Sequence, residues 1–339
     1  MNPNFKQKWP VALMRRSLLA LFLIASSLPA APAQTAAGGG AAWPARPINL
    51  VVTYPAGGGA DAMARLLAPR LAQELGQPVV VDNKPGASGQ IGASAVAKAA
   101  PDGYTLMLDA SSYAVNPALF ARLPYDTDKA FRPIGVVALF PNVLLVNPAF
   151  PARSVGELLA AARVRKNAVS YASSGNGSAQ HLAGALFEAL AGVEMLHVPY
   201  KGGAPALNDV IGGQVPVLFG NMASTLQHIR GGKLRALAVT GARRSAILPE
   251  LPTLAESGVP GYEVHEWNLL VAPAGTPEAV VQRLSDALRK ALAAPDVKAR
   301  IEALGGDIVG GSPESAQQFV RQQMATWGKL VRERHITLD

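Results

Sequence analysis

Stretches that are apolar at nearly every residue alternate with stretches that are apolar along one helical stripe. This alternation limits the fold more than any other feature of the sequence. Residues 48–53 form a β-branched apolar run, residues 62–75 carry a helical stripe that ends at Gly76 and Pro78, and residues 79–81 are again strand-like. Strands that are apolar on both faces belong in a parallel sheet covered by helices. The sequence therefore predicts an α/β fold built from βαβ units.

The same rhythm restarts after Ser154, which indicates a second domain with its own core. A chain of 339 residues is long enough for two domains, since one domain takes about 100 to 200 residues. A strand-like run at residues 269–272 is followed by helical patterns alone, so we expect the chain to return and complete the first domain. The predicted limits are residues 44–146 with 267–339 for domain 1, and residues 147–266 for domain 2.

The amino-terminal residues 1–33 have the pattern of an export signal. Basic residues precede an apolar run at residues 18–28, and Ala31-Pro32-Ala33 provides small residues for cleavage. The apolar run is shorter than the roughly 20 residues that span a bilayer. Residues 34–43 are rich in glycine and alanine and are expected to form a linker. We therefore predict an exported protein that is not inserted in the membrane.

Composition and spacing exclude several kinds of chemistry. The chain has no cysteine, and its five histidines form no H-E-x-x-H pair, so neither a thiolate site nor a histidine metal site is predicted. No G-x-S-x-G elbow is present. Loss of the leader would lower the formal net charge from +8 to +4, and no basic stripe with interleaved aromatic residues suggests nucleic acid. We expect no catalytic residue, no metal and no cofactor.

A glycine-rich turn joins the first predicted strand to the first predicted helix. It contains the candidate ligand contacts Tyr54, Ala56, Gly57, Gly58 and Asp61. Free backbone N–H groups and the helix dipole at such a turn bind anions without a cationic side chain. Two alternatives stay open for the glycines: they serve the turn alone, or they form a dinucleotide fingerprint.

The dinucleotide interpretation has support from spacing. Gly57-x-Gly59-x-x-Ala62 matches the fingerprint, and Asp82 at the end of the second predicted strand is placed to accept ribose hydroxyls. Pro55 and Ala56 count against it, because they separate the strand from the first glycine where that motif turns at once. Asp61 has two open roles as well: it caps the helix, or it meets a donor on the ligand.

Similar turns follow other predicted strands. Ser173, Ser174, Gly175, Gly177 and Ser178 lead from a strand into a helix, and their hydroxyl and amide groups are suited to a carboxylate. Ser178 alternatively serves only as the helix cap.

Two further groups of polar residues are candidates by position. Ser111, Ser112 and Tyr113 follow the strand that ends near Leu108, at the sheet edge where open α/β sheets bind ligands. Tyr200 could present a phenol to the cleft from the second domain.

Taken together, these segments resemble the tripartite tricarboxylate transporter receptor family, often called Bug receptors. The similarity extends from Trp43 to the carboxyl-terminal helix. The matching segments are Trp43-Pro44-Ala45-Arg46-Pro47, Gly57-Gly58-x-x-Asp61, residues 76–87, residues 100–106, residues 116–119, Gly175-x-Gly177-Ser178-x-x-His181-Leu182, Pro199-Tyr200-Lys201-Gly202, residues 251–256 and residues 272–277.

The resemblance implies a two-domain fold of the type II periplasmic-binding-protein kind, with crossing strands and a ligand cleft between the domains. It implies a non-catalytic receptor that captures a small mono- or dicarboxylate or aromatic acid and delivers it to the membrane permease subunits of a tripartite transporter. The expected gripping loops are residues 54–61, 111–113 and 173–178, and a monomer is expected. Pro216 and Gly220 stand where relatives often carry acids, which disfavours an amino-acid ligand.

Two other functions remain open from the sequence. One is an α/β enzyme that binds a dinucleotide at the Gly57–Gly59 loop. The other is an orphan receptor that signals to a membrane sensor, since a docking surface for either partner has no readable motif.

Overall fold

The computed structural model describes residues 43–337, which form ten strands and the helices between them. The strands are β1 (Ile48–Val52), β2 (Val79–Asn83), β3 (Thr105–Asp109), β4 (Phe131–Val146), β5 (Ser170–Ser173), β6 (Leu196–Pro199), β7 (Val217–Asn221), β8 (Arg235–Val239), β9 (His265–Pro273) and β10 (Asp307–Gly310). The helices are α1 (Gly59–Leu75), α2 (Gln90–Ala97), α3 (Ser112–Leu119), α4 (Thr127–Ala130), α5 (Val155–Arg163), α6 (Ala179–Ala191), α7 (Gly203–Ile211), α8 (Met222–Arg230), α9 (Glu278–Ala293), α10 (Pro295–Ala303) and α11 (Pro313–Glu333).

The strands follow the order β2-β1-β3-β9-β4-β7-β5-β6, with β10 and β8 also paired to β4. β1 pairs in parallel with β2 and β3, and β5 pairs in parallel with β6 and β7. One parallel group lies in each half of the sheet: β1, β2 and β3 in the first half, and β5, β6 and β7 in the second. β4 connects the halves, because its first part pairs with β9 and β10 and its last part pairs with β7 and β8.

Helices cover both faces of the sheet and bury its apolar side chains. α1, α9 and α10 cover one face of the first half, where Leu50, Leu67 and Leu284 are fully or almost fully buried. On the opposite face, α11 packs against the crossing strands, and Trp267 of β9 meets Phe319 with ring centroids 5.3 Å apart. Burial of this kind contributes roughly 25 cal/mol per Å² of apolar area. The covered sheet is the architecture that the alternating pattern predicts.

The sequence prediction and the structure differ at several elements. Predicted strands at residues 134–139 and 143–146 are one continuous strand of 16 residues, β4, because Pro141 and Asn142 do not interrupt it. The expectation that only helices follow residue 272 is wrong, since β10 pairs with β4. That strand has four residues with one buried, so it gives no apolar run. The first helix begins at Gly59 rather than residue 62.

The predicted leader and most of the predicted linker, through residue 42, lie outside the described residues. The predicted limits of the two domains stay a prediction. No helix among residues 43–337 is both long and apolar enough to cross a membrane.

Gly184 of α6 tests the packing between the helix and the sheet. A Cβ on Gly184 would lie 2.2 Å from Cε2 of the buried Tyr171 ring. We expect Gly184→Ala to lower the free energy of unfolding by about 1–3 kcal/mol through overpacking. The matched control is Gly156→Ala at an exposed position of α5, where the nearest atom is 3.9 Å away; it should be neutral or stabilising by up to about 1 kcal/mol. Urea denaturation of both variants measures the difference, and equal effects would contradict the packing.

Candidate ligand-binding site

Asp61 organises the glycine-rich turn from inside α1. Its buried carboxylate accepts hydrogen bonds from the backbone N–H of Gly57 at 2.9 Å, from Arg65 Nε at 3.0 Å and from Asn83 Nδ2 at 3.0 Å. The Arg65 guanidinium, above all, holds the pKa of Asp61 at about 2. Gly58, and not Asp61, is the residue before the first helical turn. Asp61 is therefore not the N-cap residue, and its oxygens hold the turn; its contact with a ligand stays a prediction.

The turn uses some of its backbone donors internally, while others have no partner within α1. The N–H of Gly57 serves Asp61, and the N–H of Gly58 points to Pro55 O at 3.3 Å. The N–H groups of the first turn of α1, beginning at Gly59, have no carbonyl within the helix to bind. A Cβ on Gly59 would meet nothing within 4 Å, so the backbone is open there. Ala56 is exposed beside it.

A chain of hydroxyl groups connects the first two loops. Tyr54 Oη donates to Ser112 Oγ at 2.8 Å, and Ser112 Oγ donates to Asp109 Oδ1 at 3.1 Å. Thr53 Oγ1 donates to the same oxygen at 2.7 Å. Burial raises the pKa of Asp109 to about 6. Sequence reasoning missed Asp109, although an acid that ends a buried strand next to two serines was a visible signal.

Ser111 and Tyr113 differ in what their side chains do. Ser111 is 7% exposed, and its Oγ has no hydrogen-bond partner within residues 43–337. Tyr113 is buried; its hydroxyl donates to Thr127 O at 3.3 Å and its ring packs against Phe131. The Ser111 hydroxyl is therefore without a partner among these residues, whereas the Tyr113 side chain already has contacts within the protein; both stay predicted ligand contacts.

The second loop is held by two histidines. Ser173 is fully buried, and its Oγ lies 2.7 Å from His197 Nε2 and 3.1 Å from the backbone nitrogen of Gly175. The Gly177 N–H donates to His181 Nδ1 at 3.0 Å. The rings of His181 and His197 are stacked, with centroids 3.7 Å apart. Ser173 and Gly177 therefore shape the loop, and their polar groups are occupied by the protein.

The remaining candidates on this side have mixed roles. Ser178 caps α6 by accepting from His181 N at 3.2 Å, as the capping interpretation predicts. Tyr200 donates its phenol to Asp209 Oδ2 at 2.7 Å, so its side chain binds α7. Gly175 has φ of 128° and lies against Tyr200 O, where a Cβ would be only 3.0 Å away. Only glycine tolerates that conformation readily.

Ser174 is the first member of a hydrogen-bonded set of polar side chains that sequence reasoning missed. Its Oγ donates to Gln180 Oε1 at 2.8 Å, and Gln180 Nε2 donates to Glu266. Asn221 Nδ2 donates to the other oxygen of Glu266 at 2.8 Å. Glu266 lies in crossing strand β9, far from Ser174 and Asn221 in sequence, so no local pattern indicated the contact. Among the described residues, no group of three or more metal-ligating side chains is present.

Comparison with known proteins identifies the family of this chain. The family described as tripartite tricarboxylate transporter family receptor matches residues 63–336. Protein BugT of Bordetella pertussis is 39% identical over 293 residues, which cover 86% of this chain and 90% of BugT.

Solved structures agree with that match. R. palustris Rpa4515 with adipate has a TM-score of 0.79 at 38% identity and covers 87% of this chain and 99% of its own. MatC (Rpa3494) from Rhodopseudomonas palustris with bound malate has a TM-score of 0.75 at 33% identity, with coverage of 85% and 99%. The fold is thus the two-domain α/β architecture of periplasmic binding proteins. The chain belongs to the tripartite tricarboxylate transporter receptor family, which confirms the resemblance seen in the sequence.

The stacked histidines predict an acid-sensitive loop. Burial lowers the pKa of His181 to about 3 and that of His197 to about 4, below the usual value of about 6.5 in an unfolded chain. The unfolded state therefore binds protons first as pH falls below about 6.5, and stability is lost from there down to the folded pKa values. The slope is at most about 1.4 kcal/mol per pH unit for each histidine.

His181→Asn is the variant that isolates this effect. Its Oδ1 replaces Nδ1 as the acceptor for the Gly177 N–H but does not titrate. Denaturation at several pH values between 6.5 and 4.5 should give a shallower loss of unfolding free energy in the variant than in the native protein. Parallel pH profiles would show that unfolding does not change the number of protons bound to His181 in this range.

Proposed function

We propose that the protein is an exported solute-binding receptor that closes two α/β domains around a small carboxylate for a tripartite membrane transporter. One observation carries this proposal: the buried Ser111 hydroxyl has no hydrogen-bond partner within residues 43–337 and belongs to the residue before the first turn of α3. Family membership supports it, and relatives at 33–38% identity are described with adipate and with malate.

The donors at the site suit a carboxylate without a cationic partner. The amides of the first turn of α1 carry the positive end of the helix dipole, and hydroxyl groups add neutral donors. Binding of this type holds an anion and leaves its bonds intact. We therefore infer capture of a mono- or dicarboxylate or an aromatic acid, with no cofactor.

The dinucleotide alternative has less support from the contacts. Asp82, the residue expected to bind ribose, is ion-paired with Lys84 at 2.9 Å and accepts from Asn49 Nδ2 at 3.3 Å. The Gly57 N–H, which would face a pyrophosphate, is bound to Asp61. Both groups would have to give up existing partners before a dinucleotide could use them.

One arrangement has the appearance of a catalytic pair and is better explained by structure. Ser173 Oγ and His197 Nε2 are within hydrogen-bond distance, as a nucleophile and its base would be. Ser173 is fully buried and also bonded to both backbone groups of Gly175. Its hydrogen bonds all go to groups of the protein, so we assign the pair to loop shape and propose a receptor that is not an enzyme.

Closure and delivery follow from the same proposal. We take domain 1 as residues 44–146 with 267–339 and domain 2 as residues 147–266, with the crossing strands as the hinge. The closed receptor would present its cargo to permease subunits from the periplasm as a monomer. A receptor that signals to a membrane sensor is the alternative, and transport assays with and without the permease genes distinguish the two.

Ligand binding gives the direct test. The protein from residue 34 onward should show a raised thermal midpoint with one class of carboxylate and no shift with NAD, because binding to the folded state alone stabilises it. A shift with NAD alone would support the enzyme instead, and steady turnover of a bound carboxylate would contradict the receptor.

Ser111→Ala locates the binding site. Loss of one hydrogen bond to a charged group should weaken carboxylate binding about tenfold or more. Stability should stay the same or rise, because the hydroxyl has no protein partner to lose. Ser94→Ala on α2 is the control and should change neither quantity. Calorimetric titration measures affinity, and an unchanged affinity in Ser111→Ala would place the carboxylate elsewhere.

A further inference from the structure

Glu266 is an acid at the junction between the two halves of the sheet. It is the second residue of β9 and lies opposite Phe140 of β4, where both strands cross between the halves. Its side chain is partly exposed, and it bonds to Gln180 and Asn221, which both belong to the second half. On the other side, its charge contributes to raising the pKa of Tyr54, after the larger effects of burial and Asp109. Glu266 is therefore placed between the two sets of binding loops.

The two amides that hold Glu266 are themselves fixed in orientation. Asn221 Oδ1 accepts from the backbone N–H groups of Ala223 at 3.0 Å and Ser224 at 3.3 Å. Gln180 Oε1 accepts from Ser174 Oγ at 2.8 Å. Since these oxygens are bound, both NH₂ groups must face the carboxylate. Each oxygen of Glu266 receives one such donor and keeps lone pairs for another.

The charges around Glu266 favour a ligand group that donates a hydrogen bond and disfavour a ligand carboxylate. No lysine, arginine or histidine within residues 43–337 forms an ion pair with Glu266, so only neutral amides stabilise its charge. Closure of the cleft would remove water from this carboxylate, which is costly unless a partner replaces it. A ligand carboxylate at that place would add like-charge repulsion. A ligand ammonium or hydroxyl group would instead supply the missing donor.

We propose that Glu266 forms the second end of the binding site and accepts a hydrogen bond from an ammonium or hydroxyl group of the cargo. The cargo is then a carboxylate that carries an N–H or O–H donor at its other end, and a plain dicarboxylate is a poorer ligand. This inference rests on the proposed carboxylate receptor. It also reverses the expectation that Pro216 and Gly220 disfavour an amino-acid ligand. The acid that would meet the ammonium group is Glu266 of crossing strand β9, rather than a residue at those two positions.

A matched ligand series tests the proposal on the purified protein. For each chain length from propanoate to octanoate, calorimetry compares the plain acid, the ω-hydroxy acid, the ω-amino acid and the dicarboxylate. At the best chain length, a donor-bearing acid should bind about tenfold tighter than both the plain acid and the dicarboxylate, as one hydrogen bond to a charged group implies. Comparison of the ω-amino acid with the ω-hydroxy acid identifies which donor Glu266 accepts from. Tightest binding of the dicarboxylate or the plain acid would overturn the proposal.

Two variants connect the preference to Glu266. Glu266→Gln removes the charge with little change in shape, so the advantage of the donor-bearing acid should fall to about twofold or less. Gln180→Ala removes one supporting amide and keeps the charge, so the advantage should persist even if Glu266→Gln folds poorly. An undiminished advantage in Glu266→Gln, or its loss in Gln180→Ala, would overturn the assignment. Failure of every carboxylate to bind would reject the receptor function itself, and the inference with it.

Discussion

The main-chain hydrogen bonds of β4 are the constraint on which the rest of the structure depends. This strand of 16 residues pairs with β9 and β10 in one half of the sheet and with β7 and β8 in the other. Because a strand has few soft degrees of freedom once paired, its path fixes where the two halves meet. The register irregularities at Pro133 to Gly135 and Val136 to Leu139 fall in the part that pairs with β9. Bulges of this kind bend a strand and increase its twist.

The loops proposed to bind the ligand follow the carboxyl ends of β1, β3 and β5. Two of them follow the same design, in which a buried side chain at the start of a helix binds backward to a loop amide. Asp61 holds the N–H of Gly57, and His181 holds the N–H of Gly177. Each anchor uses one donor of its loop and fixes the direction of the others. Preorganised donors bind an anion at lower entropic cost than mobile ones.

Two acids, the buried Asp109 and the partly exposed Glu266, dominate the electrostatics of this region. Asp109 collects hydrogen bonds from Thr53, Ser112 and the backbone of Ala110, while Glu266 is held by two amides. Burial raises the pKa of both carboxyl groups. In the hydroxyl chain from Tyr54 through Ser112, each hydroxyl donates toward Asp109, so the phenol oxygen of Tyr54 keeps its lone pairs as an acceptor.

The sequence was sufficient for the α/β class, because apolar periodicity is a local property, and its motifs were sufficient for the family; the loops predicted to carry the site stay a prediction. It also placed Ser111 and Ser178 in positions where the structure leaves one hydroxyl unpartnered and uses the other as a cap. Only the tertiary structure decided that Asp61 and Tyr200 serve the protein, that Tyr113 lies in the core, and that Glu266 meets Gln180 and Asn221. The physical reason is that a polar group binds whichever partner the fold brings within about 3 Å, and those partners come from distant segments of the chain.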